Sequence, residues 1–220
     1  MFTIEMLNLM WTGLLETLYM TLISAALSYV LGLPLGLVLV VTDKDGVRPC
    51  PALNRVLGTV VNALRSVPFL ILLFTVLPVT RFLTGTTIGP TATIVPLTIA
   101  AAPFVARMVE SSVREVDRGV IEASLSMGAS TMQIVLRVLL PEALPSLING
   151  AAIATTTLLG YSAMAGICGG GGLGAIAINY GYYRGQVDVM LVMVLILILV
   201  VQLIQMLGER IAKCSDKRIR

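Results

Sequence analysis

Between two long apolar runs lies a polar, helix-forming stretch, Glu122 to Pro141, reading EASLSMGASTMQIVLRVLLP. Its order is Glu122-Ala123, Gly128 after a gap of four, Val138 after nine more residues, then Leu140-Pro141. The chemistry open to it is recognition rather than bond making. The chain has no histidine, which removes imidazole acid–base catalysis and His metal ligation. Cys50, Cys168 and Cys214 stand far apart without C-x-x-C spacing, and read as three unpaired thiols. No G-x-x-x-x-G-K-[ST] is present to cradle a nucleotide's phosphates. The run Gly169 to Gly174 formally satisfies G-x-G-x-x-G, but no strand precedes it in a βαβ unit. It reads instead as a tight, close-packed turn.

The stretch reads as helix, short break, helix. Glu122 to Met127 are good helix formers, and Gly128 suits a sharp change of direction because it tolerates positive φ. Ser130 can cap the next helix, with Gln133 completing a capping box. Met132, Ile134, Val135, Val138 and Leu139 give that helix an apolar surface. Pro141 marks the start of the following apolar span, and Pro145 is tolerated in a first turn. Such a segment is either a surface-lying connector or a rigid knob that fits a groove on another protein.

The elements that must position it are membrane spans. Of 220 residues, 57% are hydrophobic and only 12% charged, with mean hydropathy +0.95; soluble domains carry about 25% charged residues. The apolar runs are continuous rather than alternating, which excludes a β-barrel. The expected fold is an all-α polytopic membrane protein with five transmembrane helices, over about 17–41, 56–80, 88–106, 142–167 and 187–207. Segment 110–140 connects spans three and four, and 208–220 forms a basic tail. The first span is not a signal peptide: no Lys or Arg precedes it and no cleavage site follows. Lys44, Arg48 and Arg55, then Arg107, Arg114, Arg118 and Arg137, then Arg210, Lys213, Lys217, Arg218 and Arg220 all fall on one side; only Arg81 and Arg184 fall on the other. The positive-inside rule makes that side cytoplasmic, with the N-terminus outside and the C-terminus inside. The net charge of +3 includes no basic cluster with interleaved aromatics, so nucleic acid is not an expected partner.

The spans differ in character. The fifth is nearly all Val, Leu, Ile and Met and suits lipid, whereas the fourth carries Gly150, Thr155, Thr156, Thr157, Gly160 and Ser162 and reads as a buried inner helix. The third, with Pro90, Pro96 and Pro103, reads as interrupted, and spans three and four together are the candidates for the inner wall. Gly32 and Gly36 form a GxxxG that reads as ordinary small-residue packing. Arg65, near the cytoplasmic start of its run, reads as snorkelling. Met164, with Tyr161 and Ser162 beside it, is a candidate gate: a large flexible side chain among small residues. Few charges lie deep in the membrane and no internal repeat is visible, which weakens an ion-coupled secondary transporter.

The Glu122–Pro141 spacing resembles the EAA loop of the permease subunits of ABC importers, departing from it at Ser124 and Val138. The resemblance implies a transmembrane domain over 12–207. It implies a coupling helix docked on a separate ATPase, with contacts at Glu122, Ala123, Ser124, Leu125, Met127, Gly128, Ala129 and Ser130. ATP and Mg would be bound by that partner and no cofactor by this chain, which would not itself be an enzyme. Gly160 to Gly174 with Asn179-Tyr180-Gly181-Tyr182, Arg65 to Phe69, Ile94 to Thr98 and Pro103 to Glu110 resemble the methionine-uptake permeases of the MetI type. That likeness implies a homodimer in the lipid of a bacterial inner membrane, two ATP-binding subunits, and a periplasmic or lipid-anchored methionine-binding protein. It also implies import of L- and D-methionine; a permease for a polar amino acid or an osmoprotectant is the alternative.

Overall fold

In lipid, backbone amides find no water, so a continuous apolar run must close its hydrogen bonds on itself. The computed structural model of the protein describes residues 4–216, and every regular element among them is helical. Lys217, Arg218 and Arg220 of the expected basic tail lie outside the described residues. The elements are α1 (Ile4–Val41), α2 (Pro51–Ser66), α3 (Phe69–Thr75), α4 (Leu77–Thr84), α5 (Pro90–Arg114), α6 (Arg118–Ser126), α7 (Thr131–Ile134), α8 (Leu140–Ala165), α9 (Gly172–Ile176) and α10 (Val187–Ser215). A π-helical segment, Val135–Leu139, joins α7 to α8, and another, Ala177–Tyr182, follows α9. Among the described residues, α1, α5, the unit Thr131–Cys168 and α10 are each long and apolar enough to cross a membrane. The pair α2 and α3 supplies a fifth crossing if it counts as one span.

That pair bends by 103°, so the apolar run 56–80 is not one helix. Pro68 has no amide to donate and forces the residue before it out of the helical region; Val67 sits at φ −79°, ψ 124°. Two other elements run past the apolar limits: α1 begins at Ile4, ahead of the run that starts at 17, and α10 continues through Ser215.

The organising contact is α1 against α5, which run side by side in the same direction. Ser24, Ser28, Gly32 and Gly36 recur every four residues and face Ile94, Thr98, Ala102 and Ala106. Ser24 Oγ donates to the Ile94 carbonyl (3.4 Å) and Ser28 Oγ to the Thr98 carbonyl (3.3 Å). A Cβ added at Gly36 would lie 2.5 Å from the Ala106 carbonyl oxygen and 2.7 Å from Val109 Cβ. The GxxxG is half of a four-residue small seam within the chain, which lets the backbones approach. It also accounts for α5 staying unbroken. Pro96 and Pro103 remove two amide donors from its ladder, but α5 is packed along its length by α1, α8 and α2, and neighbouring helices stabilise proline-bearing spans. Two thirds of its apolar window is buried (67%), against 33% for Thr131–Cys168 and 11% for α10. Of the two inner-wall candidates, α5 is the more buried within the single chain and α8 the less.

Buried side chains form three clusters along the bundle. Val105, Val109, Ile134 and Leu139 fill the end where α5 terminates, hereafter the Arg114 end. Met20, Phe69, Leu97 and Leu158 fill the middle. Met10, Leu173, Ile176 and Met193 fill the opposite, glycine-turn end.

The seam yields a prediction. Gly36→Ala costs about 1–3 kcal/mol through overpacking against backbone, and thermal unfolding of the purified protein occurs at lower temperature. Gly58→Ala serves as the control: its nearest neighbour is the Arg107 guanidinium at 3.5 Å, an ordinary van der Waals contact, so its unfolding temperature stays level or rises.

Candidate functional site

The segment after α5 starts at Asp117, whose carboxylate accepts from the Gly119 amide (2.6 Å) and caps α6. α6 carries Glu122, Ala123, Ser124 and Leu125 and stops at Gly128, φ +78°. Ala129 N donates to the Ser124 carbonyl (3.1 Å) and Gly128 N to the Leu125 carbonyl (2.9 Å), a Schellman closure. Nothing lies within 4 Å of a Cβ built at Gly128, so the positive φ alone demands glycine. Two residues on, Ser130 N donates to Gln133 Oε1 (2.8 Å) and Gln133 N to Ser130 Oγ (3.4 Å), a full capping box.

From Thr131 the backbone stays helical as far as Cys168. Pro141 therefore does not divide a loop helix from a membrane helix. Its missing amide falls just after the π-helical segment, where Leu140 N donates to the Val135 carbonyl five residues back. The wider turn takes up the ring without breaking the rod. A displacement at Ser130 is thereby tied mechanically to the far end of α8.

The exposed surface of this segment carries several large apolar side chains. Met127 is 80% exposed and Met132 66%, with Val120 and Leu125 also outward; Glu122, Ala123, Gly128 and Ser130 share that exposure. Ser124 does not. It is 6% exposed and its hydroxyl donates to the Val120 carbonyl, so it braces α6 from within. Ala129 is half-buried against the cluster of Val109, Ile134 and Leu139. The expected contact set thus splits into an outer group and two inward supports, because a helix standing on the bundle presents only one face.

Behind the segment lies an ionic hub that the spacing argument missed. Glu110, 6% exposed, accepts from Arg107 (2.5 Å) and Arg114 (2.7 Å). Arg114 also reaches Asp43 (2.8 Å), while Arg107 donates to Asn62 Oδ1 (3.0 Å) and the Gly58 carbonyl (3.3 Å) on α2. Asn54 donates to the Leu39 carbonyl (2.6 Å), tying α2 to the end of α1. An i, i+3, i+7 array of Arg107, Glu110 and Arg114 at the end of an apolar span was the available signal. Between residues 43–47 and α6 opens a cleft of about 560 Å³, lined by Asp43, Asp45, Arg118, Glu122 and Leu125.

At the other end of the rod, Met164 is 39% exposed. With Ile153, Gly160 and Ile167 it forms an open stripe at helical spacing. Ser162 does not join it: the residue is buried and donates to the Leu159 carbonyl (2.8 Å) on its own helix. Tyr161 is half-buried and stacks on Phe69, with centroids 4.6 Å apart and planes 1° from parallel. The glycine turn beyond is clamped by α1. Glu16 Oε2 accepts from Gly172 N (2.7 Å) and Thr17 Oγ1 from Leu173 N (2.9 Å). Among the described residues no group of three His, Cys, Asp or Glu side chains could hold a metal.

A helical bundle with four or five candidate membrane crossings and a capped segment that leads into one of them defines a class. The chain belongs to the family of binding-protein-dependent transport system inner membrane components, whose model matches residues 30–220. Among curated relatives, it is 51% identical to the probable D-methionine transport system permease protein MetI of Vibrio cholerae, over 96% of this chain and 94% of that one. It is 46% identical to the methionine import system permease protein MetP of Bacillus subtilis, over 95% and 94%. Among solved structures, an inward-facing conformation of the MetNI methionine ABC transporter matches with TM-score 0.97 and 47% identity, over 98% of this chain and all (100%) of that one. An amino acid ABC transporter at 20% identity and TM-score 0.72 shares the fold.

Glu110→Gln leaves Arg107 and Arg114 without their buried counter-charge. Disrupting such a hub costs about 3 kcal/mol, so the unfolding temperature of the variant falls by several degrees in a thermal melt, whereas Asp45→Asn, paired to Arg118 at 3.7 Å between exposed side chains, leaves it unchanged.

Proposed function

We propose that this chain is the membrane permease subunit of an ATP-driven methionine importer, working as a homodimer with two ATPase subunits. The observation that carries the reading is the helical rod from Thr131 to Cys168: it is joined through the hydrogen-bonded Gly128 turn to an exposed face bearing Met127, and it carries an open stripe with Met164 toward its far end. The 51% identity to a methionine permease and the TM-score of 0.97 to a methionine ABC transporter support the substrate and the class.

The Lys and Arg excess supports a cytoplasmic Arg114 end, an N-terminus outside and the transmembrane domain 12–207. The exposed face of α6, with Glu122, Ala123, Leu125, Met127, Gly128 and Ser130, enters a groove on the ATPase, and Ser124 and Ala129 hold it from behind. ATP and Mg belong to that partner. When the two ATPase subunits close, the knobs approach each other, and each rod carries its own α8. The open stripes face one another across the pathway, and the two copies of Met164 meet near the outer end, closing or opening it. The glycine turn, held by Glu16 and Thr17, lies beside that gate on the side where a methionine-binding protein delivers its cargo. α10, with few buried residues, faces lipid.

Purified with its ATPase and binding protein and reconstituted in liposomes, the complex takes up methionine only with ATP and binding protein both present. Uptake driven by an ion gradient alone would overturn the reading. Met127→Asp changes an exposed position and costs the fold little, yet places a charge in an apolar contact. Its expected effect is a loss of uptake of about tenfold or more, with the permease still inserted and folded; undiminished uptake contradicts the docking surface.

A further inference from the structure

Arg65 lies at the cut end of α2, where the chain bends by 103°. Its guanidinium stands 5.9 Å from the centre of the Phe104 ring. Phe104 is ten residues from Arg114 and fourteen from Pro90, roughly 15 and 21 Å along α5. Arg107 of the Glu110 hub is only one turn further along α5, so Arg65 sits inside the bundle toward its Arg114 end, with its side chain exposed along the wall of α5. Among the described residues no carboxylate lies within ion-pair distance of it. An arginine within an apolar run and without an acidic partner is free to take an anionic group.

Beside it is an open-sided cavity of about 210 Å³, room for one free amino acid, lined by Arg65, Leu72, Ala100 and three aromatic rings: Phe69, Phe104 and Tyr161. Phe69 and Tyr161 are stacked, so the wall is rigid, and Tyr161 belongs to the rod that runs from the knob. We propose that this cavity is the subsite that receives methionine in transit. Arg65 takes the α-carboxylate through its planar fork. The last carbonyls of α2, which have no partner within the helix and carry the negative end of its dipole, face the ammonium. The thioether lies against the aromatic wall, where sulfur is favoured. The assignment rests on the methionine reading above. It also gives Tyr161 a function distinct from gating: movement of α8 displaces one wall of the subsite and releases the cargo.

The test uses the reconstituted complex with Cys50, Cys168 and Cys214 replaced by Ser. In this parent, methionine uptake is intact. Arg65→Cys lowers uptake by about tenfold or more, the worth of one charge-assisted hydrogen bond, while hydrolysis stimulated by the binding protein persists. Aminoethyl methanethiosulfonate, which restores a positive charge, recovers part of the uptake; the sulfonatoethyl reagent does not. L-Methionine slows labelling of the thiol. Arg65→Lys retains uptake with a raised KM. Full uptake by Arg65→Cys, equal effects of the two reagents, or labelling indifferent to methionine would overturn the subsite and leave the importer standing. A complex of the unsubstituted protein that takes up no methionine in the same liposomes would overturn both.

Discussion

One buried carboxylate holds the Arg114 end of the molecule together. Glu110 pairs with two arginines, and through them reaches α2 by way of Gly58 and Asn62 and the loop after α1 by way of Asp43, which supplies the second negative charge. An unpaired charge so placed would be expensive, so the three side chains lock one another into a single arrangement. The last turn of α5 is thereby rigid, and the capped segment that follows springs from a fixed base. Without such a base, a push on Met127 would be dissipated in the connecting turn. With it, the compliant direction is along the rod from Thr131 into α8.

That rod is the second dependent feature. A Schellman closure at Gly128 and a capping box at Ser130 and Gln133 set two helices at an angle within three residues. The π-helical turn then absorbs Pro141 where a regular helix would have kinked. The seam of Ser24, Ser28, Gly32 and Gly36 supplies the reaction force: α1 and α5 approach closely enough to form a frame against which α8 can shift.

Much of this was legible in the residues. Apolar run length announced a helical membrane protein, and the Glu122–Pro141 spacing singled out a capped segment whose Gly128 φ and Ser130–Gln133 box the structure contains. What could not be read is which face of each helix turns inward, because that depends on neighbours distant in sequence. Ser124 and Ser162 have the same local pattern as exposed serines, yet both are buried. The more buried of the two inner-wall positions went to proline-bearing α5 rather than to small-residue α8, whose small residues include an open stripe. The 103° bend followed from Pro68, but the cavity it opens beside Arg65 is lined from α3, α5 and α8, and was not visible from the apolar run alone.

The central claim is that one rod carries motion from the ATPase contact to the gate. Electron–electron resonance distances on the assembled transporter test it most directly, with a spin label at Met132 in one sample and at Met164 in another. Binding of ATP is predicted to change both inter-copy distances together. A change at Met132 with none at Met164 would contradict the account.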